Sequence, residues 1–427
     1  MGLPDKSIAS AAPRLGPALV AAALIFAGCG APEPLPPPER IVLVVIDTLR
    51  RDFVSAYGAK RPTPRIDSLA ESGQRFDNAL SSFHMTTMTM GALFTGRTPS
   101  IESGRRRAPI RWNGRTWCGM ARFGGPLDRG CIPAHLPTLG ARMKQAGYAT
   151  LGVQSNALLF ASSGLERGFD DWQDVRGAHN AREVNRAVAR ALSRRESDRF
   201  FLYVHFMDAH DYRMQEESYA RGVARADAGV GTLLDLLSAQ ELLEGAVVVL
   251  TSDHGERRRE KHPIDGLRGH QGNPSFDYLV RVPLIVSPAR FDESRPVVRS
   301  EDLYGMLLDL AGLEPALDHP KTVLDPNELF LTEMGWQTYR RGDWKTMQRR
   351  SSDRSYLFNL KQDPGETRDV AGQHAVIART HRKRMATLSA LLARKRLVPK
   401  PGAAESAPES GLSEEDRERL RAVGYLE

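Results

Sequence analysis

Two aspartates and a histidine stand where they could hold a metal ion. Asp47 follows the aliphatic run 41–46, and Asp253 and His254 follow the run 246–251. Two carboxylates and one imidazole, completed by a hydroxyl or a water, would bind a divalent cation and leave room for a substrate. Carboxylates alone would suit Ca²⁺ or Mg²⁺, whereas the imidazole shifts the preference to Zn²⁺ or Mn²⁺. A third run, 200–206, is followed by Asp208 and His210. Asp208 could serve a second metal or orient His210. The segment 82–96 reads as a loop entering a helix that stops at Gly96, and Thr86, Thr87 and Thr89 lie near its start. Backbone N–H groups and the helix dipole favour negative charge there. A threonine alkoxide at that point could attack a phosphorus or sulfur centre while the N–H groups hold the ester oxygens. The competing use of such threonines is plain helix capping.

The elements that must position these groups are written in the hydrophobic pattern. Continuous aliphatic runs at 41–46, 149–153, 200–206, 246–251 and 282–286 predict strands buried on both faces. Helical periodicity lies between them at 64–73, 136–147, 181–192 and 216–237. Strands alternating with helices give an α/β fold, a mostly parallel sheet covered on both sides, whose ligands bind beyond the carboxyl ends of the strands. After Leu313 the pattern changes to short aromatic-rich segments around Trp336, Tyr339, Trp344, Tyr356 and Phe358. These predict a small antiparallel sheet with a closing helix, a C-terminal α+β subdomain.

The 427 residues are 41% hydrophobic and 26% charged, which excludes disorder, collagen and multi-span membrane proteins. Lys+Arg 59 against Asp+Glu 52 leaves a net charge of +7, too small and too scattered to argue for nucleic acid. An anionic substrate or a membrane surface fits it. Lys6 and Arg14 precede an apolar stretch ending at Cys29, too short to span a bilayer. Phe26-Ala-Gly-Cys29 resembles a bacterial lipobox. We therefore expect a lipoprotein signal peptide over 1–29, lipidation of Cys29, and a Pro-rich tether over 30–39 that holds the protein to the cell envelope. Cys118 and Cys131 remain as an even pair in an exported chain, the pattern of a disulfide. The tail 396–427 reads as a flexible linker with a short charged helix.

The motifs Ile41-Val-Leu-Val-Val-Ile-Asp-Thr-Leu-Arg-Arg-Asp52, Arg61-Pro-Thr-Pro-Arg-Ile-Asp-Ser-Leu-Ala70 and Ala92-Leu-Phe-Thr-Gly-Arg-Thr-Pro99 resemble the opening of the sulfatase family in the alkaline phosphatase superfamily. Phe201-Leu-Tyr-Val-His-Phe-Met-Asp-Ala-His210, Thr251-Ser-Asp-His-Gly-Glu256 and Arg281-Val-Pro-Leu-Ile-Val286 match later family segments in order. The segment 357–367 looks like the family's C-terminal subdomain. The resemblance implies an alkaline-phosphatase-like catalytic domain over 40–313, with an insertion at 100–133, and a C-terminal subdomain over 314–395. It implies that Asp47, Thr86, Asp253 and His254 are metal ligands, that Thr86 holds the nucleophile position, and that His210, His270 and Arg97 meet the substrate. Lys261 and His262 are further candidates; His84 and His205 are read as structural.

The departures from the family pattern carry the functional reading. Sulfatases carry Cys or Ser followed by x-Pro-Ser-Arg, oxidised to formylglycine. Here the stretch is Thr86-Thr-Met-Thr-Met90, and Thr cannot give formylglycine. Thr48 replaces the second aspartate of the usual Asp-Asp pair. A threonine nucleophile is the arrangement of the superfamily's phosphatases, phosphodiesterases and phosphoethanolamine or phosphoglycerol transferases. The expectation is a metal-dependent hydrolase of sulfate or phosphate esters, with phosphoryl chemistry favoured, on a glycan, a lipid head group or a small molecule. Zn²⁺ or Mn²⁺ is favoured and Ca²⁺ also suits. The alternatives are transfer to an acceptor alcohol, or a non-catalytic lipoprotein that binds an anionic glycan through the arginines between Arg105 and Arg115.

Overall fold

The computed structural model describes residues 35–97, 136–159, 163–175, 180–212, 217–258, 260–264, 275–291, 297–314, 324–333 and 335–394, with Gly2 and Ile132. The elements lie in Pro36–Glu427, one of two compact units into which the chain divides. Cys29, Cys118, Cys131 and His270 fall outside the described residues. So do the expected insertion apart from Ile132, and the tail from 395 onward.

The chain opens with β1 (Arg40–Ile46), α1 (Pro64–Glu71), β2 (Gln74–Arg75), β3 (Ala79–Leu80), α2 (Thr86–Thr95) and α3 (Leu139–Gln145). It continues through β4 (Ala149–Gln154), β5 (Asp171–Asp174), α4 (Ala181–Ser193), β6 (Phe200–Phe206), α5 (Tyr219–Ala239) and β7 (Ala246–Thr251). Then come α6 (Asp277–Val280), β8 (Leu284–Ser287), β9 (Val298–Arg299) and α7 (Ser300–Leu310). The C-terminal part is β10 (Glu328–Glu333), β11 (Trp336–Arg341), β12 (Trp344–Arg349), β13 (Ser355–Asn359) and α8 (Ala375–Arg394).

Seven strands form the main sheet in the order β2-β8-β7-β1-β6-β4-β5. From β7 to β5 every pairing is parallel, with Ile41 opposite Phe201 on one side and Val247 on the other. Side chains alternate across a strand, so β1 feeds two cores. Ile41, Leu43 and Val45 pack with Met90, Leu93 and Phe94 of α2, Leu139 of α3 and Leu307 of α7. Val42, Val44 and Ile46 pack with Ile66 of α1, Val184 and Val188 of α4, and Val223 and Val230 of α5. A helix layer therefore covers each face, which is why β1 reads as an unbroken aliphatic run. This is the mostly parallel, helix-sandwiched sheet expected from the sequence.

Three details differ from the sequence reading. β8 runs antiparallel to β7 and starts at Leu284, after Pro283, which has no N–H to give a ladder. α3 starts at Leu139 because the Thr138 hydroxyl caps it, accepting from the Ala141 N–H at 3.3 Å. The end of the Pro-rich stretch is docked on the domain: Pro38 is buried and its carbonyl accepts from the Tyr148 hydroxyl at 2.7 Å.

The four strands β10 to β13 form an antiparallel meander. Leu329, Leu331, Met347 and Phe358 pack toward Phe276, Leu279 and Val280 around α6, while Phe330 and Tyr339 pack with Met385 and Leu388 of α8. A buried ion cluster joins this sheet to α6. Lys345 is fully buried, and its Nζ lies 2.7 Å from Asp277 Oδ1 and 2.9 Å from Glu366 Oε1. Among the described residues, no helix is long and apolar enough to cross a membrane.

Candidate active site

The carboxyl ends of β7, β1, β6 and β4 are neighbours and open on the same rim of the sheet. Asp47 extends the β1 ladder by one bond, its N–H donating to the Phe206 carbonyl at 2.9 Å. Thr48 then turns the chain through φ 56°, a left-handed conformation that β-branched residues seldom adopt. Its surroundings hold it there. The Thr48 N–H donates to Asp253 Oδ1 at 3.0 Å, the Tyr219 hydroxyl donates to the Thr48 carbonyl at 2.6 Å, and the Leu49 N–H donates to Ser252 Oγ at 2.9 Å. The strained turn thus ties the end of β1 to the end of β7. On the other side of His254, a Cβ at Gly255 would stand 2.0 Å from the Tyr278 carbonyl oxygen, so that position accepts only glycine.

These constraints bring Asp47, Asp253 and His254 together. One ligand atom from each lies within 4.8 Å of the other two, and all three residues are fully buried. The donors around them divide each carboxylate into two unlike oxygens. Asp47 Oδ2 accepts from Asn156 Nδ2 at 2.7 Å and from His205 Nε2 at 3.1 Å, while Oδ1 has no hydrogen-bond partner among the described residues. Asp253 Oδ1 accepts from the N–H groups of Thr48 and His254, while Oδ2 has no hydrogen-bond partner there either. Two buried carboxylate oxygens without donors carry a large desolvation cost unless a cation meets them. A divalent ion fits this site.

The imidazole is oriented for the same purpose. His254 Nδ1 lies 2.8 Å from the Gly255 carbonyl, which can only accept, so Nδ1 carries the proton. Nε2 is left facing Asp253 Oδ2 at 3.4 Å and Thr86 Oγ1 at 3.3 Å. Burial alone would depress this imidazole, yet the carboxylates of Asp253 and Asp47 carry it above its ordinary value. Burial would likewise raise the Asp47 carboxyl. The hydrogen bond from His205 and the imidazoles of His210, His205 and His254 instead hold it well below the usual carboxylate range.

Thr86 is the first residue of α2 and is buried. The cap position belongs to Met85, whose side chain makes no capping bond, so Thr86 does not serve as the helix cap. Thr89 Oγ1 is committed elsewhere, donating to the Phe83 carbonyl at 2.9 Å and lying 2.9 Å from Ser81 Oγ. Thr86 Oγ1 is the hydroxyl that lies against His254, 3.3 Å from Nε2. All ten residues of α2 are buried, and the helix ends at Gly96 with φ 63°, as the sequence suggested.

Of the remaining candidates, His210 sits on the turn after β6 with Nδ1 2.8 Å from Asp211 Oδ1. Asp208 does not orient it. That carboxylate instead faces Arg225 Nε at 3.5 Å, and burial pushes it up to about 6 despite the arginine. Arg97 lies past the far end of α2, about 15 Å along the helix from Thr86 at 1.5 Å per residue. His262 stacks on Phe276 with ring centroids 3.7 Å apart and bonds the Tyr278 hydroxyl at 3.0 Å, a packing role.

Two residues were missed. Asn156 comes two residues after β4, as Asp253 comes two residues after β7, and the strand-end rule could have found it. Asp211 is a second acidic residue in the same turn as Asp208, and no spacing signal separates them. Behind Asp47, the Tyr203 hydroxyl donates to His205 Nδ1 at 2.7 Å, which leaves His205 Nε2 as the donor to Asp47. Asn156 and His205 thus hold Asp47 with Oδ1 turned toward the other ligands. Asn156→Ala is expected to weaken divalent-metal affinity about 10- to 100-fold, read by competition with a metal-sensitive dye. Unchanged affinity would show that His205 alone orients the carboxylate.

A family model described as Sulfatase matches residues 39–313, which span β1 to α7 and every residue of this site. The chain belongs to the sulfatase family. Arylsulfatase K of Xenopus laevis is 30% identical over 176 residues, covering 35% of this chain and only 32% of that protein. An N-acetylgalactosamine-6-O-sulfatase of Bacteroides thetaiotaomicron is 22% identical over 485 aligned residues, covering 79% of this chain and 91% of that one. Among solved structures, a 2-O GAG sulfatase superposes with a TM-score of 0.63 at 17% identity, covering 90% of this chain and 100% of that chain. The phosphonate monoester hydrolase of Agrobacterium radiobacter superposes with a TM-score of 0.57 at 15% identity, covering 83% and 96%. This sulfatase-family member thus shares its fold with enzymes named for sulfate and for phosphonate esters, and it carries Thr86 at the start of α2.

Proposed function

We propose that this sulfatase-family protein is a metal-dependent ester hydrolase in which the Thr86 hydroxyl is the nucleophile, with phosphate esters of an anionic substrate favoured over sulfate esters. The observation that carries the proposal is the placement of Thr86 Oγ1 against His254 Nε2, beside two buried carboxylate oxygens that lack donors. Asp47, Asp253, His254 and Thr86 would hold the cation, and the mixed carboxylate and imidazole set suits Zn²⁺ or Mn²⁺ better than Ca²⁺. When bound, such an ion supplies the positive charge that lowers the proton affinity of the threonine hydroxyl.

The residues of the chain account for the rest. Thr86 Oγ1, its proton released to solvent, attacks the ester centre in line, forming a threonyl ester as the bond to the leaving oxygen breaks. The N–H groups of the first turn of α2 receive the oxygens of the transferred group. His210, held through Nδ1 by Asp211, presents Nε2 to the charge on that group or to the departing oxygen. Water then resolves the threonyl ester. A glycan ester is the substrate class suggested by the Bacteroides relative. Lipidation at Cys29 would place the enzyme at the cell envelope, and the pair Cys118 and Cys131 would form a disulfide there.

The test is an ester panel on purified protein, comparing aryl phosphate, aryl phosphodiester and aryl sulfate with and without chelator. Phosphate-ester cleavage that chelator abolishes and Zn²⁺ or Mn²⁺ restores is the expected result. Turnover of aryl sulfate alone would contradict the threonine argument.

A further inference from the structure

A second site for an anion lies where the C-terminal sheet meets the main domain. A cleft of about 290 Å³ is lined there by Asn78, Arg281, Asn327, Arg340 and Asp343, among others. Its volume is at the lower end of small-molecule pockets, room for a single sugar-sized unit. It shares no lining residue with the site around Thr86.

The cationic groups in and behind the cleft outnumber their partners. Arg281, Arg340 and Lys345 converge on Asp277 and Glu366. Lys345 takes up one oxygen of each acid, Arg340 Nη1 lies 3.4 Å from Asp277 Oδ2, and Arg281 Nη1 reaches that oxygen only at 3.9 Å. Burial, with the neighbouring Asp277 charge, pushes the Glu366 carboxyl well above its ordinary value despite Lys345. Asp77 beside them is already shared by Arg51 and Arg75, at 3.3 Å each. Burial lowers the Arg281 guanidinium below its ordinary value even with Asp277 near, the mark of a cation short of counter-charge. Asp343 is the acidic lining residue among those described, and it is exposed to solvent.

The hydrogen-bond donors are oriented too. Asn78 Oδ1 accepts from Arg281 Nη2 at 3.0 Å and from Arg340 Nη2 at 3.4 Å, which leaves the Asn78 amide hydrogens as donors. Arg281 Nε and Nη2 also donate to the Asp77 carbonyl, and Arg340 Nε to the Gly342 carbonyl; the remaining Nη hydrogens of the two guanidiniums and the Asn78 amide suit the tetrahedral oxygens of a sulfate or phosphate group. We propose that this cleft binds such an oxyanion, either free or carried on a sugar-sized ligand. The inference does not depend on the role of Thr86.

The experiment pairs location with affinity. Crystals of the wild-type protein soaked in selenate should show an anomalous selenium peak between Arg281 and Arg340. In calorimetric titrations, Arg281→Gln should weaken the matching sulfate event at least tenfold. Arg281 is chosen because its side chain is 28% exposed, whereas Arg340 is more deeply buried. Titration with inorganic sulfate, a monosulfated monosaccharide and its unsulfated parent separates the sources. Tighter binding of the sulfated sugar than of inorganic sulfate assigns the carried group, and equal binding assigns the free ion. Selenate found only beside Thr86, or sulfate binding unaltered in Arg281→Gln, overturns the proposal. Should Arg281→Gln fail to fold, the wild-type selenate map decides alone.

Discussion

Thr86→Ala will lower ester turnover by roughly 10⁴-fold or more while the protein stays folded, because the substitution removes the attacking atom and little else. Thr86 lies inside the helix start rather than at its cap, so the stability change should stay within about 1 kcal/mol. Thr86→Ser keeps the hydroxyl and should retain a measurable part of the rate. Thr89→Ala provides the contrast. Its hydroxyl bonds the Phe83 carbonyl, so its loss should destabilise the loop before α2 more than it slows chemistry. Steady-state kinetics beside thermal melts separate the two outcomes. A Thr86→Ala protein with unaltered turnover would exclude the mechanism, and a Thr89→Ala protein with the larger kinetic loss would move the nucleophile.

Lys345→Met should cost about 3–5 kcal/mol of folding stability, the usual penalty for stranding buried charge by deleting its partner. Lys345 is fully buried, and Asp277 and Glu366 would be left facing each other with Arg340 at 3.4 Å and Arg281 at 3.9 Å from Asp277 and, among the described residues, no cation on Glu366 at the distance Lys345 holds. The sign with pH follows from Glu366. Its carboxyl is already above its ordinary range, and without the lysine charge it rises further. The folded state then holds a proton that the unfolded state releases, so acidification should shrink the deficit. The double variant Lys345→Met with Glu366→Gln removes one charge of each sign and should recover much of the loss. Denaturant melts of the two variants check this, and a double variant no more stable than the single one would refute the charge argument. The cluster also bears on the site. Asp277 opens α6, and the backbone of α6 accepts the Gly255 N–H at the Leu279 carbonyl, one residue beyond His254.

The central sheet and the rim of the site were legible in the sequence for one physical reason. A strand buried on both faces must be aliphatic throughout, so polar residues within two positions of its end stand out, as Asp47 and Asp253 do. Asn156 ends β4 in the same way but is neither a carboxylate nor an imidazole, and it escaped notice. Strand direction was not legible, because an aliphatic run reads alike either way and β8 turned out antiparallel. β2, β3 and β9 have two residues each, too few for any period. Three threonines within four positions could not be told apart by type. Only the geometry shows that Thr89 is tied to Phe83 while Thr86 faces His254. Arg97 was grouped with the substrate by its place in a motif, and it follows the far end of the ten-residue α2 that Thr86 begins.

The most direct test of the threonine mechanism is to mix the metal-loaded protein with an aryl phosphate, quench in acid on the millisecond scale, and map the modified peptide by mass spectrometry. A phosphoryl group on Thr86 that forms and decays at rates compatible with turnover is the predicted result. Continued turnover with no adduct on residues 86–89, or an adduct on Thr87 or Thr89 instead, would contradict it.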